Sequence, residues 1–416
     1  MFKSSGFKVQ GLRSLAALVA LVPLVLSAGQ DDIGKFDPRM VEGNAVIDTN
    51  GVKWIDGRYL PIEGRAFNDT DHYYDRLPAN VTTNVNGGVR SMKHHTAGLQ
   101  FRFTTGSRKL RFRWTVYNAG MLEMQHMPKT GVSGIDVYRQ DGEGKWRFVR
   151  GACPAMSRKG DSFEFEMGWT PGRPCLVNLP LYNGIRAFSL GVDKDASVAA
   201  LGPRKSGVDK PVVFYGTSIT HGGCCSRPGL AFPSIVGRDL DVPIVNLGFS
   251  GSGVMEFEMS EHLARIDASC YVLDCLWNMG LAEDPKHPGR SVEGNYERFI
   301  RNLRAKRPGV PIVMAEQCDV FCNGPCPKDR FIRKLHEKLI AEGWTDLVDL
   351  PKDGMYTGDL EGTVDGCHPN DWGMMSMAGA FGKAVKEALH LKCAVLISSG
   401  IGTGRSSTTR RPPSIR

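Results

Sequence analysis

Residues 202–211, Gly-Pro-Arg-Lys-Ser-Gly-Val-Asp-Lys-Pro, separate two hydrophobic rhythms that no single architecture accommodates. Upstream, apolar residues recur at every second position in short runs: Leu99, Phe101 and Phe103, then Leu110, Phe112 and Trp114, with a polar turn at 104–109 between them. Strand side chains alternate between faces, so this pattern predicts a β-hairpin with one face buried. Further runs at 134–139, 145–150, 162–167, 175–182 and 187–192, divided by Gly, Pro and Asp, predict an all-β, jelly-roll-like sandwich over residues 31–202. Downstream, strand-length apolar runs at 212–215, 243–249, 270–278, 311–317 and 346–350 alternate with helical spacing. Tyr296, Phe299, Ile300 and Leu303 form one such helical set and Phe331, Leu335 and Leu339 another, with a last helix at about 372–390. This is the α/β class, a doubly wound parallel sheet with crossover helices over residues 209–393.

The two ends of the chain account for its charge. Lys3, Lys8 and Arg13 precede the apolar run 15–26 and the small residues Ser27, Ala28 and Gly29. This is the pattern of a cleaved signal peptide over residues 1–28, its apolar core being too short to favour a membrane span. It predicts a periplasmic or extracellular protein without stable membrane insertion after cleavage. Residues 394–416 carry four arginines, no acid and too few apolar residues for a core, and are expected to be a disordered basic tail. Removing the three cations of 1–30 and the four of 394–416 from a net charge of +8 leaves +1. A nearly neutral body argues against a dedicated nucleic-acid binder. Nothing in the sequence fixes the oligomeric state.

Of the eleven cysteines, Cys318, Cys322 and Cys326 lie four apart, without an identifiable fourth ligand. A disulfide or an unpaired loop thiol is expected there rather than zinc. Cys153 and Cys175 are a further candidate pair. No metal and no cofactor is expected.

The chemistry centres on Val-Val-Phe-Tyr-Gly-Thr-Ser-Ile-Thr-His-Gly-Gly (212–223), where a strand stops at a small hydroxyl residue. Open α/β sheets bind ligands at the carboxyl ends of their strands, so Ser218 is a candidate nucleophile, with a helix N-cap as the alternative reading. A serine nucleophile needs a base and an orienting acid. Asp365 and His368, three residues apart in Asp-Gly-Cys-His-Pro-Asn-Asp (365–371), supply both. Gly248, ending the second strand, offers a backbone N–H for an oxyanion, and Asn278, after the third, offers a side-chain amide. Taken singly, either residue reads equally as a turn former.

Together, Ser218, Gly248, Asn278 and His368 resemble the four blocks of the SGNH, or GDSL-type, hydrolases. The sequence is most similar to the subgroup with an N-terminal β domain marked by G-x-D-[LV]-Y, here Gly134-Ile135-Asp136-Val137-Tyr138, followed by Leu-Pro-Leu-Tyr-Asn-Gly (179–184). The similarity spans residues 60 to 390. It implies a flavodoxin-like three-layer α/β/α domain, Ser218 as nucleophile, His368 as general base and acid, and Asp365 as its orienting carboxylate. It also implies an oxyanion hole from the Ser218 and Gly248 N–H groups and the Asn278 side chain. Thr217 replaces the usual aspartate, and Leu276-Trp277 the usual glycine-x before the asparagine.

Two rivals for the chemistry are weaker. His221 has no neighbouring acid and is expected to contact substrate or a loop, and the Cys224-Cys225 pair lacks surroundings that favour a thiolate. Glu316 and Asp319 are the next acids should Asp365 not serve. Export, a β domain beside the cleft, and Trp277 as a sugar platform, a wall of the acyl pocket or a core residue, together with the resemblance, suggest an esterase for short acyl groups on carbohydrate. The alternatives are a lipase or lysophospholipase, and a noncatalytic carbohydrate-binding protein on a hydrolase fold. The partner in any of these is a small-molecule or polysaccharide ester.

Overall fold

A computed structural model describes residues 45–153, 161–318, 324–356 and 359–391. The signal peptide, the basic tail, Cys322 and Asp319 lie outside the described residues.

The N-terminal part is a sandwich of two antiparallel sheets. One, of five strands, runs in the order Ala45–Ile47, Val52–Asp56, Ile185–Asp193, Lys109–Val116, Ser162–Gly168. The other runs Val198–Ala200, Gln100–Thr105, Cys175–Asn178, Ile135–Gln140, Trp146–Ala152, with Ile62–Glu63 also paired to Gln100–Thr105. The expected hairpin between Gln100–Thr105 and Lys109–Val116 does not form, because the turn between them carries the chain from one sheet to the other. Their alternating aromatics are buried as expected, but they meet across the sandwich. Phe101 of one sheet lies 4.5 Å, centroid to centroid, from Phe188 of the other, within a core that includes Phe103, Leu110, Phe112 and Trp114. Period-two burial is the same whether two strands pair edge to edge or face each other, so the pattern alone does not choose.

The second part is a five-stranded, wholly parallel sheet. Its order is Ile244–Gly248, Val212–Gly216, Cys270–Asp274, Ile312–Ala315, Leu347–Leu350. This is the flavodoxin-like 2-1-3-4-5 arrangement, whose switch point beside the first strand opens a crevice at the carboxyl edge. Both faces are covered, so the strand residues divide between two cores. Val213 and Tyr215 join the helices Phe257–Ala264, Val292–Lys306 and Pro327–Ala341. Val212 and Phe214 join Phe232–Leu240 and Asp371–Ala388 on the other side. In Val292–Lys306, Tyr296, Phe299, Ile300 and Leu303 form the buried stripe and the Ser291 hydroxyl caps the first turn by accepting from Gly294 N–H. No described helix is long and apolar enough to cross a membrane.

The two parts are joined by buried polar contacts. Arg76 is 1% exposed and donates to the carbonyls of Asn246 at 3.1 Å, Gly248 at 2.8 Å and Met92 at 2.8 Å. Burial pulls its pKa down to about 9. Three carbonyl acceptors compensate the loss of water around a buried guanidinium, at the carboxyl end of the second strand. Cys153 and Cys175 are not joined, each being a free thiol, and the described residues contain no cluster of metal-ligating side chains.

Candidate active site

The strand Val212–Gly216 ends at a glycine because nothing larger fits. A Cβ on Gly216 would stand 2.1 Å from the Thr220 hydroxyl and 2.7 Å from the Asp274 carbonyl oxygen. The chain then turns into the short helix Ser218–His221, capped by Thr217, whose hydroxyl accepts from Ile219 N–H at 3.2 Å. The cap is therefore Thr217, which leaves the Ser218 side chain for the cleft. Ser218 Oγ lies 2.8 Å from His368 Nε2, and its carbonyl accepts from Gly222 N–H, Gly223 N–H and the Tyr182 hydroxyl at 3.1, 2.8 and 3.1 Å.

On the opposite side, the segment before the last helix folds back on itself. Val364 N–H donates to the His368 carbonyl at 2.9 Å, and Asn370 caps the helix by accepting from Trp372 and Gly373 N–H. Between these ties, Asp365 Oδ2 lies 2.8 Å from His368 Nδ1, while Oδ1 accepts the Cys367 and His368 backbone N–H groups at 2.9 and 2.7 Å. Partial burial opposes ionisation, but these three bonds outweigh it and hold the carboxyl at about 2. An ionised Asp365 fixes the proton on Nδ1 and leaves Nε2 to accept from Ser218 Oγ, the relay required to make a serine nucleophilic.

The remaining expected residues divide. Asn278 ends the turn Leu276–Asn278. Its side-chain oxygen accepts from Ser252 and Gly253 N–H at 3.1 and 3.2 Å in the amide orientation that pairs acceptor with donor. The opposite orientation makes only long bonds, at 3.3 and 3.4 Å.

Gly248 does not present its N–H to the cleft. That group is buried and donates to Asn246 Oδ1 at 2.9 Å, and a Cβ there would stand 2.2 Å from His221 N. The glycine lets the sheet and the short helix touch. Gly251, three residues on, has φ of 64°, a left-handed conformation that favours glycine, with open space around it, and a Cβ on Gly253 would stand 2.0 Å from the Gly216 carbonyl oxygen.

His221 is not a substrate contact. It is wholly buried, its Nε2 lies 2.7 Å from the Leu181 carbonyl oxygen, and Tyr182 stacks on its ring at 4.1 Å. Trp277 is half-buried. Its ring packs against the core and its indole N–H donates to the Cys318 carbonyl at 2.9 Å. Burial, reinforced by Asp365, pushes the Cys224 thiol up to about 12, and burial pushes Cys225 well above its ordinary value, so neither carries a thiolate. Glu316 is wholly buried and paired with Arg333, a structural role.

The signature aspartate of the β domain has a position that the sequence alone did not reveal. Asp136 is wholly buried and accepts from Asn178 Nδ2 at 2.7 Å, Arg227 at 3.0 Å and Gly229 N–H at 2.8 Å. Arg227 also bonds the Tyr138 hydroxyl and lies over the Phe148 ring. The neighbouring Ser226 is held through its N–H and hydroxyl by Asp371, the first residue of the helix behind His368. One loop is thereby tied to the β domain and to the element carrying the histidine.

Fold and site together define an enzyme of the SGNH type. The model of the GDSL-like lipase/acylhydrolase family matches residues 209–386, and that of the GxDLY domain, the N-terminus of SGNH-hydrolase-type esterases, matches residues 52–198. Residues 209–386 are thus similar to GDSL-type hydrolases and residues 52–198 to the β domain that precedes SGNH-hydrolase-type esterases.

Among solved structures it is similar to a Bacteroides ovatus ATCC 8483 protein assigned as a GDSL-like lipase. The identity is 28% and the TM-score 0.69, over 82% of this chain and 99% of that one. A salicylyl-acyltransferase from a tetracycline biosynthetic pathway shares the fold at 17% identity and TM-score 0.64, over 82% of this chain and 98% of that one. So does a family two carbohydrate esterase from Clostridium thermocellum, at 12% and 0.50, over 71% and 94%. No curated protein sequence gives a significant match.

Proposed function

We propose that the protein is an exported serine esterase that removes short acyl groups, O-acetyl groups of carbohydrate above all. In this reading the β sandwich spans 31–202 and the hydrolase domain 209–393. The observation that carries the chemistry is the pair of 2.8 Å contacts on either side of the His368 ring, to Ser218 Oγ and to Asp365 Oδ2.

The reaction follows from that alignment. As Ser218 Oγ attacks the ester carbonyl carbon, its proton passes to His368 Nε2, and the negative charge moves to the carbonyl oxygen. The Ser218 N–H, which opens a helix and so has no partner one turn back, the Gly251 N–H and the Asn278 amide are the proposed donors to that oxygen. The tetrahedral adduct collapses by breaking the bond to the alcohol oxygen, which takes the proton from His368. Water then repeats the sequence on the acyl-enzyme, with His368 taking its proton, and carboxylic acid leaves.

The apolar run at 15–26 supports export, and the carbohydrate esterase fold of one structural neighbour is consistent with a glycan substrate. The test is a series of p-nitrophenyl esters from acetate to palmitate, with acetate release measured from acetylated xylan, pectin and simple sugars. Preference for acetate and release from a glycan are expected. Preference for long chains without release from any glycan overturns the proposal in favour of a lipase.

A further inference from the structure

A cavity of about 400 Å³ lies between the β sandwich and the hydrolase domain, lined by residues including Met92, His95, Met121, Met124, Tyr182 and Ser250. Ser250 directly precedes Gly251, and the Tyr182 hydroxyl bonds the Ser218 backbone carbonyl, so two of the lining residues sit beside the segments that carry the proposed reacting groups. Pockets of roughly 300–1,000 Å³ hold whole small molecules. An acetyl group, with two carbons, leaves most of this space unfilled, so the space suits the alcohol half of the ester.

The lining carries no Asp, Glu, Lys or Arg side chain. Its titratable imidazole, His95, is kept neutral, since burial and the nearby Arg76 push its pKa down to about 3. The proton on that imidazole can be placed. The Leu181 carbonyl only accepts, so His221 Nε2, 2.7 Å away, carries a hydrogen. His95 Nδ1 faces the same Nε2 at 3.3 Å and must therefore be a lone pair. A neutral His95 then holds its proton on Nε2, a hydrogen-bond donor on a ring that lines the cavity. The methionines supply adaptable apolar wall for carbon–hydrogen faces. The Asn183 amide, also at the wall, is spent on the carbonyls of Asn118 and Met121 and on the Ser133 hydroxyl, and reads nothing.

We propose that this interdomain cavity binds the alcohol half of the substrate as an uncharged sugar ring, with His95 Nε2–H donating to one of its oxygens, and that it disfavours uronates. The inference rests on the esterase reading above and adds a choice between neutral and acidic glycans.

The test compares kcat/KM on an acetylated methyl xyloside, an acetylated methyl galacturonate carrying a free carboxylate, and ethyl acetate, whose alcohol is too small to fill the cavity. The wild type is expected to favour the xyloside over the uronate by about tenfold or more. His95→Leu should lower the ratio of xyloside to ethyl acetate activity about tenfold through KM, the scale of one lost hydrogen bond, and His95→Gln, which keeps a donor, should restore part of it. Met124→Lys should shift the preference toward the uronate. Equal loss on xyloside and ethyl acetate in His95→Leu, or a wild type that favours the uronate, overturns the proposal. A wild type active on ethyl acetate and inert on both sugars defeats the cavity assignment alone, whereas inertness on all three defeats the esterase reading with it.

Discussion

Asp136, on the β sandwich, accepts the backbone N–H of Gly229, in the hydrolase domain, at 2.8 Å. The carboxylate is completely enclosed and also holds Arg227 and Asn178, and a Cβ on Gly229 would stand 2.5 Å from the Tyr138 ring. The β domain thus grips the loop that follows the serine helix, and the same loop is bound to Asp371 behind His368. In this chain the signature aspartate works as a fastener between domains.

Removing that fastener strands its partners. Asp136→Ala leaves the Arg227 charge and the Gly229 N–H without their buried acceptor, and breaking such a pair typically costs about 3–5 kcal/mol. Urea unfolding of the variant is expected to show a loss of this order in the first transition, with Asp136→Asn intermediate. An unchanged midpoint means the clasp contributes nothing net.

Replacement of the proposed reacting groups should separate chemistry from folding. Ser218→Ala and His368→Ala are expected to lower kcat by about 10⁴-fold or more with unchanged melting temperature, and Asp365→Asn by up to about 10⁴-fold through loss of the correct tautomer. Because His368 must be neutral to accept the serine proton, the rate falls as the pH is lowered. Wild-type turnover by purified Ser218→Ala assigns the nucleophile elsewhere.

Gly248 and Asn278 should fail in different ways. Gly248→Ala forces a methyl to within 2.2 Å of His221 N and is expected to reduce stability by about 1–3 kcal/mol, the usual cost of overpacking. Asn278→Ala should leave the fold intact and raise the barrier by about 2.7–4 kcal/mol, read in kcat, if its amide binds the oxyanion. A pure KM effect at Asn278 would make it a ground-state binder.

Asp274 makes stability depend on pH in the opposite sense to an ordinary paired carboxylate. Burial raises its pKa from 3.8 to about 7, the Thr220 hydroxyl at 2.7 Å offsetting only part of that. Between these values the unfolded chain is ionised and the folded chain still protonated, so stability is greatest below pH 4 on this account and is lost as pH rises toward 7. The full shift corresponds to an upper bound of about 4 kcal/mol. Asp274→Asn is expected to raise the melting temperature at pH 8 and to change it little at pH 4. An equal change at both pH values contradicts a buried proton.

What the sequence determined by itself were the local patterns. Alternating Phe101, Phe103, Phe112 and Trp114 required strands with one buried face, and Tyr296, Phe299, Ile300 and Leu303 required a helix, because the rhythm of burial is set by backbone geometry within each segment. The Asp365 and His368 pairing was likewise legible, being closed within four residues. Tertiary structure decided which distant surfaces met. It placed the two aromatic strands in opposite sheets, buried His221 beneath Tyr182 while His95 reached the cavity, gave the Gly248 N–H to Asn246, and packed the half-buried Trp277 against the core. Each of these depends on partners far away in the chain, and the same short motif is equally compatible with the cleft or the core until those partners fill one of them.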